Sequence, residues 1–361
     1  MVTYYDLGPD KQLNEIVFAG SHDAGITGGG ANVQTQDLNI LEQAQAGVRI
    51  FDLRIAAAAA GGKFGNDKLA ELRAFHADSK LMKNETKTRH LEDVGRVEEI
   101  TRTKLKGGAF GMGLSSMLED AKKFVTSKDG GDEFLLLKFD KCLNWALIAE
   151  TCIDTLGATI YKGGGNLNTK TQRDLRGKVV VLFSGSGYNE LAGAYGSADG
   201  IQRFKNLHNK ETGDSAYDSS YVGLQYYGKG GTSVAKAFGK QKQNEKKQAK
   251  LMEGAKALGS WEILGMMYWT TTGMLESIKK RNDKMWDTPN IAKLKNVWSG
   301  GLEEYMMMAN PLLLPEGSPA IGPQRKRYMP NIIMIDFADE TKCQHIRALN
   351  DLTADELGEM D

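Results

Sequence analysis

Several large functional classes are excluded by what the sequence has little of. Its 361 residues hold only three cysteines, Cys142, Cys152 and Cys343. Their separations match no zinc-ligand spacing, and three are too few for a disulfide framework. Cys142 and Cys152 stand among apolar neighbours and read as buried thiols. Excess charge is absent as well, since 46 basic residues balance 46 acidic ones. No global field therefore draws the molecule to nucleic acid or to an anionic bilayer, and any lipid contact has to be local. No apolar run approaches the roughly 20 residues of a transmembrane segment. The start, Met1-Val2-Thr3-Tyr4-Tyr5-Asp6, lacks the basic region and apolar core of a secretory signal. A mature secreted domain, a cytosolic enzyme and an effector exported by another route all remain compatible with it.

What is present is a succession of short apolar runs that end in polar, glycine-rich mouths. The first is Ile16-Val17-Phe18-Ala19, which opens into Gly20-Ser21-His22-Asp23-Ala24-Gly25. It reads as a buried strand with an imidazole and a carboxylate at its C-terminal end, Gly20 and Gly25 permitting the turn and a close approach. A hydrogen-bonded turn with an incidental histidine is the alternative. The second strand, Val48 to Ile55, places Ile50, Asp52 and Arg54 on one face. Two charges facing a barrel interior are costly unless paired or used, so they form either a buried ion pair or part of a site. A third run, Leu72 to Asp78, carries His76 at its end. Glu133 to Asp140 is a fourth, with Lys138 placed either to snorkel or to meet an anion.

Further strands are expected at Gly177–Gly185 with its mouth loop, Tyr221–Tyr227, Ile263–Thr270 and Pro330–Asp339. Helical spacing falls between many of them. Eight strands so separated are the order of a (β/α)8 barrel, and 361 residues suit one such barrel as a single domain, 1–361, with insertions. Residues 79–108, which include a solvated His90, and the Lys/Gln-rich 235–258 read as those insertions. The second of them is expected to be a solvated helix, or alternatively a basic membrane-facing patch. Residues 310–323 form a Pro-rich loop and 351–361 an acidic tail. Ionisable residues gather at the C-terminal ends of strands one to four and eight, which is the end where barrel enzymes keep their active sites.

Four pieces taken in order resemble the phosphatidylinositol-specific phospholipase C X-domain family, in its bacterial, metal-independent branch. They are Gly20 to Gly25, Gly47 to Arg54, Phe75-His76 and Asn331 to Phe337. The resemblance implies a distorted, partly open (β/α)8 TIM barrel. It also implies that phosphatidylinositol, or a glycosylated or related phosphoinositide, is cleaved to a cyclic phosphodiester and diacylglycerol. His22 would be the general base on the inositol 2-hydroxyl, and His76 the general acid on the leaving oxygen. Arg54 would stabilise the phosphate charge, Asp23 would set the hydrogen bonds of Arg54 and of the acid, and Asp336 would orient His22. Lys138 matches a substrate-binding lysine, and Asp52 would support the site from behind. The calcium-dependent branch has a carboxylate where Arg54 stands and Asn where Asp23 stands, so no metal and no cofactor are implied here.

The positions of the family's inositol-binding Arg and Asp are occupied by Ser184 and Tyr226, which leaves the headgroup open. The expected partner is a phospholipid at a membrane surface, with no nucleic acid and no transmembrane segment, in a secreted or surface-associated protein. Leu312, Leu313 and Leu314 in the Pro-rich loop, together with Tyr268 and Trp269, are candidates for apolar contact with that surface, the alternative being that the leucines pack under the barrel and Trp269 is core. Two rival readings stand behind the phospholipase C one, the first disfavoured by Arg54 at the place of a metal ligand and the second by the joint presence of His22, His76, Arg54 and Asp336. One is a metal-dependent barrel phosphodiesterase of the glycerophosphodiesterase or sphingomyelinase D kind. The other is a catalytically idle barrel that binds phospholipid.

Overall fold

The computed structural model describes residues 1–58, 71–91, 96–208, 216–230, 240–271, 277–287, 291, 294, 303–308 and 321–352. Strand β1 (Phe18–Ser21) is wholly buried. Helix α1 (Ile40–Ala46) follows, started by a reciprocal cap between Asn39 and Glu42 and stopped at Gly47, whose φ of 122° suits glycine. β2 (Val48–Leu53) pairs with β1 in parallel. Gly20 makes the closure between them possible. A Cβ on it would lie 2.3 Å from Met334 Sδ and 2.7 Å from Ile50 Cγ2, inside the barrel.

After β2 the chain leaves the barrel. Strands β3 (Ile55–Ala58), β4 (Glu71–His76), β5 (Met82–Leu91), β6 (Arg96–Leu105) and β7 (Ala109–Gly113) form a separate five-stranded sheet in the order β5-β6-β3-β4-β7. One expectation is corrected by this: the strand ending at His76 exists but is not a barrel strand. Most of residues 79–108, read from the sequence as an insertion, belongs to this same sheet. The physical reason lies in β4 itself, where exposed Glu71 and half-buried Arg73 alternate with buried Leu72 and Ala74. Such alternation suits a one-faced antiparallel strand, whereas parallel barrel strands such as β2 are buried on both faces.

The chain re-enters through α2 (Leu114–Thr126), whose buried Leu114, Met117, Leu118, Ala121, Phe124 and Val125 make one apolar stripe. There follow β8 (Phe134–Phe139), α3 (Trp145–Leu156), α4 (Gln172–Leu175), β9 (Lys178–Ser184), α5 (Gly185–Glu190), β10 (Ile201–Asn206) and β11 (Leu224–Gly228). Then come α6 (Lys240–Lys256), β12 (Leu264–Tyr268), α7 (Ile278–Asp283), the antiparallel pair β13 (Glu303–Met308) and β14 (Ile321–Arg327), β15 (Ile332–Ile335) and α8 (Glu340–Ala348). The barrel closes as β1-β2-β8-β9-β10-β11-β12-β15, all parallel. It is a (β/α)8 barrel. Its eighth member is β10, whose Gln202, Arg203 and Lys205 hide it from an apolar-run search.

The Lys/Gln-rich helix is not a solvated insertion, because α6 packs on β11 and β12. Its buried face includes Asn244 and Gln248. Asn244 Nδ2 donates to the carbonyls of Tyr268 and Thr270 (both 2.9 Å), and Gln248 Oε1 accepts from Tyr268 N (3.0 Å). Amide caps of this kind read as a polar surface in a sequence. Trp269, expected at a membrane-facing rim, is core: it is fully buried, with Nε1 donating to Met285 O at 3.3 Å. Leu312, Leu313 and Leu314, residues 235–239 and the tail from 353 lie outside the described residues. At the barrel's other end buried Arg49 meets buried Glu133 (2.8 Å), which also accepts from the amides of Tyr4 and Tyr5. Among the described residues no helix is long and apolar enough to cross a membrane.

Candidate active site

The mouth of β1 turns sharply at Asp23, which has a φ of 44°. This left-handed conformation is costly for a residue with a side chain and persists only where its surroundings fix it. Here the turn is fixed from several sides. His22 N donates to Ile335 O (3.0 Å), and Ala24 N donates to Asp52 O (2.9 Å). The side chain of Thr35 donates to Asp23 O (2.9 Å). Thus β1, β2 and β15 all hold the backbone that presents His22 and Asp23.

Five of the predicted residues come together here. His22 Nδ1 donates to Asp336 Oδ1 across 2.9 Å, and Asp336 lies just beyond β15. Asp23 is the hub. Its Oδ2 accepts from His76 Nδ1 at 2.6 Å and lies 3.5 Å from His22 Nε2. Its Oδ1 is 3.2 Å from Arg54 Nε, within ion-pair reach although not aligned as a hydrogen bond. Both acids are almost wholly buried, while the side chains of His22, Arg54 and His76 keep 15%, 21% and 28% of their exposure. Buried carboxylates therefore back a partly open guanidinium and two partly open imidazoles, the arrangement expected of a pocket for an anionic group.

The electrostatics follow from that geometry. Burial alone would lower the His22 pKa, but Asp23 and Asp336 outweigh it and raise it to about 9. Burial would raise that of Asp23, yet His22, Arg54 and His76 hold it far below the usual carboxylate range. For Asp336 burial prevails and the pKa is raised, despite His22. Tyr268 sets its ring edge-on to His22, with centroids 5.7 Å apart. It closes the apolar side of the imidazole, a place different from the expected membrane rim.

Lys138 and Asp52 form a second layer. They are register partners on β8 and β2, and Nζ lies 2.6 Å from Asp52 Oδ1 in a buried pair. The ammonium also sits 4.8 Å from the Phe204 ring centre and 5.9 Å from that of Tyr226. Ser184 caps α5, accepting from Gly187 N, and Tyr226 is buried beside Phe204. Neither supplies a charge to the mouth. Donor atoms of His22, Asp23 and Asp52 lie within 4.8 Å of one another, close enough to surround a cation. The residues present fit such an ion poorly, since Arg54 already faces Asp23 and Lys138 already neutralises Asp52.

Two residues that strand-end reasoning misses are Thr35 and Gln36, both buried, on the segment between β1 and α1. They carry no ionisable group, and a polar dipeptide in a loop gives no pattern to detect.

No protein-family model matches the sequence, and no curated protein matches it. Among solved structures the fold is similar to that of a bacterial phospholipase C. Three variants of the phosphatidylinositol-specific phospholipase C of Staphylococcus aureus align with the chain at TM-scores of 0.54, 0.52 and 0.51. The alignments cover 96%, 96% and 95% of this chain and 95% of each of theirs, at 15%, 14% and 15% identity. This is a likeness of fold, and it agrees with the family to which the four sequence motifs point.

Proposed function

We propose that the protein is a phosphoinositide-cleaving phospholipase C that works without a metal. The observation that carries this reading is the shared carboxylate. One buried Asp23 touches two imidazoles and a guanidinium, and the first imidazole is backed by its own carboxylate, Asp336. A binding module needs the cation but has no use for two histidines poised as base and acid.

In this reading neutral His22 takes the proton from the inositol 2-hydroxyl, whose oxygen attacks the phosphorus of the same molecule. A tethered nucleophile loses little entropy on approach. Arg54 binds the phosphate oxygens as their charge grows, in place of a divalent ion. His76, held by Asp23, gives its proton to the departing diacylglycerol oxygen, and a cyclic phosphodiester remains. Lys138 acts through Asp52, keeping that carboxylate neutralised beneath the site. With Ser184 and Tyr226 uncharged, headgroup selection rests less on ion pairing than on the shape of the mouth.

Phosphorus NMR of phosphatidylinositol vesicles incubated with the protein tests the proposal. A cyclic phosphodiester signal that survives a chelator is expected. Product that appears only with added divalent metal favours the metal-dependent phosphodiesterase, and bound lipid with no product favours the idle barrel.

A further inference from the structure

The base and its orienting acid belong to strands more than 300 residues apart in sequence, and a single dipeptide ties their two turns together. Gln36 is fully buried. Its Nε2 donates to His22 O (3.0 Å) and to Ile335 O (3.3 Å), while its Oε1 accepts from Ala338 N (2.9 Å). Thr35 is 1% exposed. Its Oγ1 donates to Asp23 O (2.9 Å), and its backbone oxygen accepts from Phe337 N (2.7 Å). The backbone nitrogens of both residues donate to Ile26 O (3.1 Å each), which anchors the dipeptide to the β1 loop.

The contacts fall on special backbone. Asp23 and Phe337, the residues directly after His22 and Asp336, are both left-handed, with φ of 44° and 50°. Such a conformation is strained for a residue with a side chain and persists only where its surroundings hold it. Thr35 bonds to both of them, and Gln36 bonds to the carbonyl before each turn or the amide after it. Neither side chain touches a reacting group. We propose that Thr35 and Gln36 are positioning residues that set the alignment of the His22–Asp336 pair, a role whose effect on turnover rests on the function proposed above.

The test uses isosteric variants of the full chain. Gln36→Met keeps volume and removes all three side-chain hydrogen bonds of the amide, whereas Thr35→Val removes only the hydroxyl and Thr35→Ser keeps it. In protein labelled with ¹⁵N-histidine, the five imidazoles are resolved and His22 is assigned by comparison with His22→Gln. The expected result is that Gln36→Met and Thr35→Val, folded by circular dichroism, shift the His22 Nδ1 resonance toward that of a free imidazole. The distant His208 and His345 signals stay in place, and Thr35→Ser returns the wild-type spectrum. Turnover of phosphatidylinositol then falls about 100-fold in kcat with KM little changed, the size expected from a small misalignment.

Unmoved His22 nitrogens in folded variants would overturn the proposal, and so would shifts shared by all five histidines. If both Gln36→Met and Thr35→Val fail to fold, the dipeptide is a folding element and the proposal fails. If the ring signals respond but the wild type turns over no lipid, the positioning role stands and the proposed reaction falls.

Discussion

If His22 is the general base of the proposed reaction, the His22–Asp336 pair should make activity and stability respond to pH in opposite directions. His22 moves from an ordinary value near 6.5 to about 9 because Asp23 and Asp336 overcome the effect of burial. That difference corresponds to roughly 3 kcal/mol of preference for the imidazolium. As a general base the ring must be neutral, and at pH 7 only about one molecule in a hundred would be. The kcat/KM profile, which reports the free enzyme, should therefore climb about tenfold per pH unit and level off near 9. Stability takes the other sign. A group whose folded value is raised stabilises fully below about 6.5 and loses that contribution as pH rises through about 9. Melting temperature should fall across the window in which activity climbs. Asp336→Asn removes one of the two carboxylates, so the ascending limb should move down by about one pH unit or more. The plateau should drop roughly 10²–10⁴-fold, because the ring loses its orienting partner. Steady-state rates on mixed micelles and thermal scans at matched pH make the measurement. A wild-type limb near 6.5, or a limb unmoved in Asp336→Asn, would refute the reasoning.

Three further outcomes are expected. His76→Ala should lose roughly 10²–10⁴-fold on phosphatidylinositol but far less on an aryl phosphodiester of inositol, whose leaving group needs no proton; equal losses on the two would remove His76 from the acid role. Arg54→Asp should lose on the order of 10³-fold or more and regain part of it with calcium, while the wild type ignores EDTA; a wild type inhibited by EDTA overturns the premise. Lys138→Met leaves Asp52 buried without its cation and should cost about 3–5 kcal/mol in urea unfolding, most of it recovered in Lys138→Met/Asp52→Leu; a neutral single variant would show the pair to be more hydrated than its burial implies.

Much of the barrel was legible because its strands are near-continuous apolar runs that end in ionisable residues. β1, β2, β8, β9, β11, β12 and β15 all fall where the sequence places them. Where reading failed, the same rule explains why. β10 exposes Arg203 and Lys205 partly to solvent and escapes notice, whereas Leu72 to His76 is apolar enough to be counted in its place. The total of eight came out through two compensating errors. The site residues fared better than the elements that carry them, since a charge at a strand end is visible whichever sheet the strand joins. Thr35, Gln36, Asn244 and Gln248 were illegible for the opposite reason. Their work is to satisfy backbone groups, and composition marks such residues as surface.

The misassigned strand bears on how the site is built. His22, Asp23 and Asp336 are set by barrel strands, and Arg54 stands where the chain leaves the barrel. His76 arrives from the side sheet, so its position depends on how that sheet docks. The docking is close: Phe75 N donates to Arg54 O at 2.9 Å. A Cβ on Gly25 would lie 2.5 Å from Ala74 Cβ, and one on Gly111 would lie 2.0 Å from Gly25 O. Gly25 ends the loop that presents His22 and Asp23, so its missing side chain serves the approach of β4 and β7 more than the turn itself. Two structural units thus meet at one loop. The group that joins them chemically is Asp23, whose Oδ2 contacts an imidazole from each unit while its Oδ1 faces Arg54 at the junction. A carboxylate shared in this way couples His22, His76 and Arg54 through one buried charge. That accounts for placing the single deeply depressed acid of the site at the one residue all three can reach.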